Sequence, residues 1–312
     1  MRLILLGLLL FAVALSPLRA GGQAVEGNEY RIVTQSGTVT LDAMLQELGQ
    51  ADVVFVGEEH DHALGHKLEL AILEGLYAHT PTRALSMEMF ERDIQLVLDE
   101  YLAGDITESA FLQAARPWPN YKTDYRPLVE FCKEKGLPVV AANAPRRYVN
   151  MVSRKGQEAL HALPKASKTF LPPLPYSMDL PDGYDKQLTE IFGQAHDQPA
   201  DKQATSGDHP SPQPIMPSVE TMKQAQALWD ATMQDSILHF LRTHRGRQVL
   251  QINGAMHSDY GYGIVDRLRK ADPHLHIKIV SIKPDTAFPN VSWQPYAGMA
   301  DFVIVTPGEA QK

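Results

Sequence analysis

The stretch Ala51-Asp52-Val53-Val54-Phe55-Val56-Gly57-Glu58-Glu59-His60-Asp61-His62 decides how the chain is read. Its first six residues are mostly apolar and rich in β-branched side chains, as in a strand covered on both faces of a parallel sheet. The polar residues that follow then stand just beyond the carboxyl end of that strand. Far along the chain the arrangement recurs, with Gln248-Val249-Leu250-Gln251-Ile252 leading into Gly254-Ala255-Met256-His257. Ligands of open α/β sheets bind outside the carboxyl ends of the strands, so both His-bearing loops should face one crevice.

Working outward, strand-like and helix-like runs alternate. Residues 67–77 carry Leu68, Ile72, Leu73 and Leu76 on one helical face, and 83–89 reads as the next strand. Helices are expected over 91–102, 108–115 and 125–134, the last closed by Gly136 as a C-cap, with a strand over 137–142. Later strands are expected at 248–252, 276–282 and 301–305, with a helix over 264–270 between the first two. The fold class is therefore α/β, a mainly parallel sheet flanked by helices. From 145 to 245 the alternation stops. That region reads as a helical insertion forming a smaller subdomain, dominated by a helix over 218–244 with Met222, Trp229, Met233, Ile237 and Phe240 along one stripe. Residues 196–217 hold five prolines among polar residues and read as a mobile loop.

Residues 1–20 have the form of a secretory signal peptide, with Arg2, an apolar run too short to span a bilayer comfortably, and a small residue, Ala20, at the cleavage point. Residues 21–312 then form one α/β domain, periplasmic or secreted and soluble after cleavage. No cysteine near the leader offers a lipid attachment point. Cys132 is the only cysteine in the sequence, which excludes an intramolecular disulfide and a four-cysteine zinc site. A net charge of -8 argues against nucleic acid or an anionic membrane surface as partner.

Two imidazoles and two carboxylates gather at the expected edge: Glu58 and His60 after one strand, Glu88 near the end of another, His257 after a third. Such a set suits a divalent metal, acid and base catalysis, or the framing of a tetrapyrrole. His62 and His66, four residues apart, lie on one helical face if the helix begins near Asp61, and read as solvated residues at its entry. Arg146 and Arg147 open a helix directly beyond a strand, where fixed cations suit the propionates of haem or another anionic ligand. No HExxH, Gly-x-Ser-x-Gly or Cys-x-x-Cys-His motif occurs.

Five motifs in order resemble the ChaN-like haem-binding proteins, bacterial iron-regulated uptake proteins: Gly57-Glu58-Glu59-His60-Asp61, Met87-Glu88-Met89-Phe90, the segment from Ala114 to Tyr121 with Arg116-Pro117-Trp118-Pro119-Asn120, Gln226-Ala227-Leu228-Trp229-Asp230, and Gly254-Ala255-Met256-His257 with Tyr262-Gly263-Ile264. The resemblance runs from about residue 52 to 305. It implies a haem-binding protein rather than an enzyme, serving iron acquisition, with haem held noncovalently by a tyrosine helped by a histidine across a homodimer, and a haem-uptake receptor as partner. A phenolate is a strong ligand for ferric haem. Tyr260, Tyr262, Tyr184 and Tyr121 are the tyrosines near the expected crevice, and His60, His257, Arg146 and Arg147 complete the candidate haem contacts. Many relatives are lipoproteins, which this chain departs from. The wider set of erythromycin esterase-like and Tiki-type proteins shares paired Gly-x-x-His motifs and includes hydrolases. It leaves open a metal-dependent hydrolase using Glu58, His60, Glu88 and His257 with zinc or manganese.

Overall fold

A computed structural model describes residues 29–79, 83–197 and 217–308. Its strands are β1 (Arg31–Thr34), β2 (Gly37–Val39), β3 (Val53–Glu58), β4 (Arg83–Glu91), β5 (Val139–Asn143), β6 (Gln248–Gly254), β7 (Ile277–Asp285) and β8 (Phe302–Pro307). They form one sheet in the order β2-β1-β8-β7-β3-β6-β4-β5. From β8 to β5 all neighbours run parallel, whereas β1 is antiparallel to β8 and β2 to β1. The helices are α1 (Leu41–Leu48), α2 (Ala63–His79), α3 (Gln95–Ala103), α4 (Glu108–Ala115), α5 (Arg126–Lys135), α6 (Arg146–Lys155), α7 (Lys165–Lys168), α8 (Asp182–Asp197), α9 (Val219–Thr243) and α10 (Gly263–Ala271).

The central strand shows why the apolar run has no polar alternation. Val54 and Val56 of β3 enter one layer with Leu68, Ile72 and Leu76 of α2. Val53 and Phe55 enter the opposite layer with Met233 and Ile237 of α9 and Ile264 and Leu268 of α10. Both faces are covered, so successive side chains on opposite faces must all be apolar. Each such fully buried side chain contributes about 1.5–3 kcal/mol. The parallel set delivers the ends of β3, β4, β5 and β6 to one edge, which is where the polar motifs stand.

The expected elements are present, with differences that matter for the site. β3 runs through Glu58, which therefore belongs to the strand and not to the loop after it, and β4 extends to Glu91, two residues past the expected end, with Glu88 inside it as expected. A 3-10 turn over Arg92–Ile94 precedes α3 where one continuous helix was expected, because Ile94 leaves helical geometry at φ -104 and ψ 5. Gly136 closes α5 with a left-handed φ of 65, as expected. The edge hairpin β1–β2 and α1, capped by the Thr40 side chain, had no expectation attached to them. Between β5 and β6 no strand occurs among the described residues. α9 serves two clusters: Ala225, Leu228 and Ala231 pack with Tyr148, Val152 and Tyr176, while Met233 and Ile237 lie on the sheet. The expected leader, 1–20, and all but the ends of the expected loop, 196–217, fall outside the described residues. Among the described residues no helix is long and apolar enough to cross a membrane.

Candidate functional site

The two Gly-x-x-His runs interlock at neighbouring strand ends. β3 and β6 pair with Gly57 opposite Asn253 and Glu58 opposite Gly254. A Cβ on Gly57 would stand 3.0 Å from the Ala255 backbone and 3.1 Å from Ser258 Oγ, so glycine there lets the β6 loop cross over β3. A Cβ on Gly254 would stand 2.8 Å from both Cε1 and Nε2 of His60. Each motif's glycine thus makes room for the other motif, the close approach that only glycine permits.

His60 sits at the mouth, its side chain 45% exposed. Its Nδ1 lies 2.7 Å from Glu58 Oε1, which also accepts from the Tyr125 hydroxyl at 2.7 Å. Its ring meets Trp118 edge-on at 4.9 Å. The His60 carbonyl accepts from Asn120 Nδ2 at 3.0 Å and is 3.2 Å from His66 Nε2. A π-helical turn over Tyr121–Tyr125 brings Tyr125 onto Glu58; such turns recur at functional sites. Burial alone would lower the His60 pKa, but the bond to Glu58 and the charges of Glu88 and Glu58 outweigh it and raise it. Burial would likewise raise Glu58, yet hydrogen bonds from His60, His66, Glu69 and Tyr125 hold its carboxyl well below the usual range.

Beneath His60, His66 lies between Glu58 and Glu69, which corrects one expectation. His66 is buried, not solvated, with Nδ1 3.2 Å from Glu58 Oε2 and 3.3 Å from Glu69 Oε2. The reason is register: α2 begins at Ala63, so His66 and Glu69 turn inward with Leu68 and Ile72, while the His62 ring reaches Thr306 at 3.1 Å. Despite the cost of burial, the hydrogen bonds to Glu58 and Glu69 push His66 up to about 10. Burial and the charge of Glu58 push Glu69 well above its ordinary value.

The second motif ends in a sealed cluster. Glu88 Oε2 accepts from Gly254 N at 2.8 Å, and Oε1 lies 3.5 Å from His257 Nε2. On the other side His257 Nδ1 lies 2.6 Å from Asp230 Oδ1, and Asp230 Oδ2 accepts from the Tyr184 hydroxyl at 2.9 Å. Gln226 of α9 reaches both Tyr184 and His257 at 3.1 Å. Burial would depress His257, but the charges of Glu88 and Asp230 push it up to about 10. Burial would raise Glu88, and the charge and hydrogen bond of His257 lower it instead.

Of the candidate residues, Glu58, His60, Glu88 and His257 are thus brought to one sheet edge. Tyr184 is fully buried against Asp230, where burial raises its phenol well above 10. Tyr121 is buried in the core beside Phe90 and Phe111. Tyr262 lies between Tyr184 and Tyr260, its ring tilted to each with centroids 5.6 Å apart. Tyr260 is 43% exposed and holds a left-handed φ of 61, a backbone state uncommon outside glycine. Arg146 is exposed and lies over the Trp118 ring at 5.5 Å, whereas Arg147 is paired with Asp93 at 2.5 Å and packs on Tyr148. Sequence reading assigned no role to Asp230, Gln226, Glu69 or Tyr125. Among the described residues, Glu58, His66 and Glu69 are the group whose donor atoms all lie within 4.8 Å of one another; the set Glu58, His60, Glu88 and His257 does not close on one point. A cleft of about 1060 Å³ lies elsewhere, along the open edge of β5, where the Gln95 amide bonds Val139 O and Ala141 N and none of these candidates is in the lining.

Comparison with known proteins bears out the resemblance. The family model described as haem-binding uptake, Tiki superfamily, ChaN matches residues 44–268, and the chain belongs to that family. The ChaN of Campylobacter jejuni, a structure of cofacial haem binding, has a TM-score of 0.61 at 17% identity, covering 90% of this chain and 98% of that one; the likeness shows a shared fold. An erythromycin esterase mutant, EreC in its open conformation, has a TM-score of 0.43 at 11% identity, covering 86% of this chain and 80% of that one, too distant to carry an argument. Among curated proteins, the chloroplastic RETICULATA-RELATED 5 of Arabidopsis thaliana is 23% identical over 256 residues, 78% of this chain and 32% of that protein. The chain spans about a third of that relative's length.

Proposed function

We propose that this chain holds haem noncovalently at the carboxyl edge of its sheet and serves iron acquisition outside the cytoplasm, after export on the leader read at 1–20. The observation that carries the reading is His60: an imidazole at the mouth, anchored through Nδ1 to a buried glutamate, with an indole against its ring and the exposed Arg146 guanidinium over that indole. Anchoring one ring nitrogen by a carboxylate orients the other for a metal centre. Trp118 offers a flat apolar wall to a porphyrin, and Arg146 a cation to a propionate.

Tyr260 is the second donor in the reading, as a phenolate suits ferric iron and this tyrosine is the exposed one of the four candidates. His257 and Tyr184, both sealed, support the site from beneath. Two copies presenting these faces to each other would hold haem between them, in keeping with the cofacial haem binding named for the Campylobacter jejuni protein, and a haem-uptake receptor is the partner this role requires. The hydrolase reading is not favoured, since its four donors do not converge among the described residues.

Haemin titration tests the reading. Binding should saturate with a shifted Soret band, and charge-transfer features of oxygen-ligated high-spin ferric iron should vanish in Tyr260→Phe. His60→Ala should weaken affinity by roughly 10–100-fold. Weak, nonsaturable association equal to that of an unrelated protein would overturn haem binding, and size-exclusion profiles with and without haemin would test the dimer.

A further inference from the structure

The floor beneath His60 is built for more than support. Glu58 and Glu69 are both sealed, their side chains 1% and 0% exposed, and His66 between them is 4% exposed. Two carboxylates in that space face one imidazole, and desolvated carboxylates need compensating positive charge. Glu58 Oε2 meets His66 Nδ1 at 3.2 Å as an ion pair without good hydrogen-bond geometry, and Glu69 Oε1, equally sealed, has no hydrogen-bond partner. Buried oxygens left this way call for an occupant.

We propose that Glu58, His66 and Glu69 hold a divalent transition-metal ion, of the zinc or manganese kind, sealed beneath His60. The spacing fits. Tetrahedral coordination with bonds of about 2.0–2.2 Å sets neighbouring donors roughly 3.3–3.6 Å apart, and here the imidazole nitrogen stands 3.2 and 3.3 Å from the two carboxylates, all three donors lying within 4.8 Å. The second sphere fits too. His66 Nε2 faces the His60 carbonyl at 3.2 Å, which fixes its proton there and leaves Nδ1 for the metal. Glu58 Oε1 meanwhile stays with Tyr125 and His60, so the ion takes the other oxygen of the same carboxylate.

On binding, the ion displaces the Nδ1 proton and any proton on Glu69, both released to solvent, with no oxidation or reduction. Because all three ligands are sealed, the role is structural. The ion would lock α2 onto the end of β3 and fix Glu58, hence the ring of His60. These ligands differ from a catalytic set at the mouth, and the inference does not depend on haem.

The test uses the full chain. Protein purified without chelator should carry about one ion per chain by elemental analysis. After chelation and dialysis, added Zn²⁺ or Mn²⁺ alone should raise the melting temperature by about 5 °C at a hundredfold excess over its dissociation constant. Glu69→Gln, nearly isosteric, should lose both the ion and the shift, while Glu88→Gln should keep both. A metal-free chain whose melt ignores both ions would overturn the proposal, as would Glu69→Gln retaining the ion, or Glu88→Gln losing it as fully. If Glu69→Gln does not fold, the wild-type melts with and without each ion decide alone.

Discussion

His60 and His257 occupy matching places, each after a glycine at the end of a parallel strand, each against a carboxylate, yet they meet opposite environments. The His60 side chain is 45% exposed with one buried carboxylate at its back; that of His257 is 6% exposed and held between two, Asp230 and Glu88. Helix α9 makes the difference, since it lays Gln226, Asp230 and Trp229 over the second histidine, while the loop carrying Trp118 leaves the first half-open. One motif therefore yields two roles: a histidine that can meet a ligand, and a clamp that ties the insertion to the sheet. Cover, not residue type, decides between them.

The largest expected effect tests that division. Asp230→Ala removes a fully buried partner of His257 and of the Tyr184 hydroxyl, and breaking a buried pair on one side costs about 3–5 kcal/mol. His60→Ala, at the mouth, should cost less than about 1 kcal/mol of folding while weakening haem affinity roughly 10–100-fold. Urea unfolding of both variants beside the parent protein checks this. Equal losses would mean that the two histidines are equally structural.

The sequence made the layers legible because β3 and β6 are apolar on both faces and α2 repeats at helical spacing. It made half the site legible because Glu58, His60 and His257 stand beside glycines at strand ends. The missing half is polar side chains inside apolar helix faces. Glu69 stands at the start of a buried stripe with Ile72, Leu73 and Leu76, and Asp230 shares one with Met233 and Ile237. A search for apolar periodicity counts such residues as gaps, although a lone acid within a buried stripe signals a partner elsewhere. Asp230 even stands inside the run Gln226-Ala227-Leu228-Trp229-Asp230, one of the five that resemble the ChaN-like proteins. The turn that presents Tyr125 has no comparable signal, because a π-helical turn leaves the apolar pattern of α5 unchanged.

A pH profile tests the same comparison at intermediate size. The folded pKa of His257 is raised from 6.5 to about 10, so its stabilisation is complete below about 6.5 and drains as pH rises through about 10. The groups facing it are Glu88, Asp230 and, across Gly254, His60, with Tyr184 behind Asp230. Glu88, whose pKa is lowered from 4.5, stabilises above that value and loses its part as pH falls further. Folding free energy should thus be greatest between these limits and fall by a few kcal/mol toward pH 10. In His257→Gln the alkaline fall should shrink, whereas His60→Ala should keep most of it. An unchanged alkaline limb in His257→Gln would locate the proton elsewhere.

The smallest effect separates two adjacent arginines. Arg147 is bound to Asp93 at 2.5 Å and rests on Tyr148 and Phe170, so its charge is already used. Arg146, 64% exposed, touches only the fringe of Glu91 at 3.8 Å and lies over Trp118, the ring that meets His60. A propionate reaching the mouth would find Arg146 and not its neighbour. Pairing at such an exposed place is worth about 0.5–1 kcal/mol and fades with salt. Arg146→Ala should therefore weaken haemin binding roughly two- to fivefold at low ionic strength and hardly at all near 1 M salt. Arg147→Ala should leave affinity unchanged and lower the melting temperature slightly. If the two exchange behaviours, with Arg147→Ala showing the salt-sensitive loss, the anion lies over α6 and away from Trp118, and the mouth at His60 is the wrong place for haem.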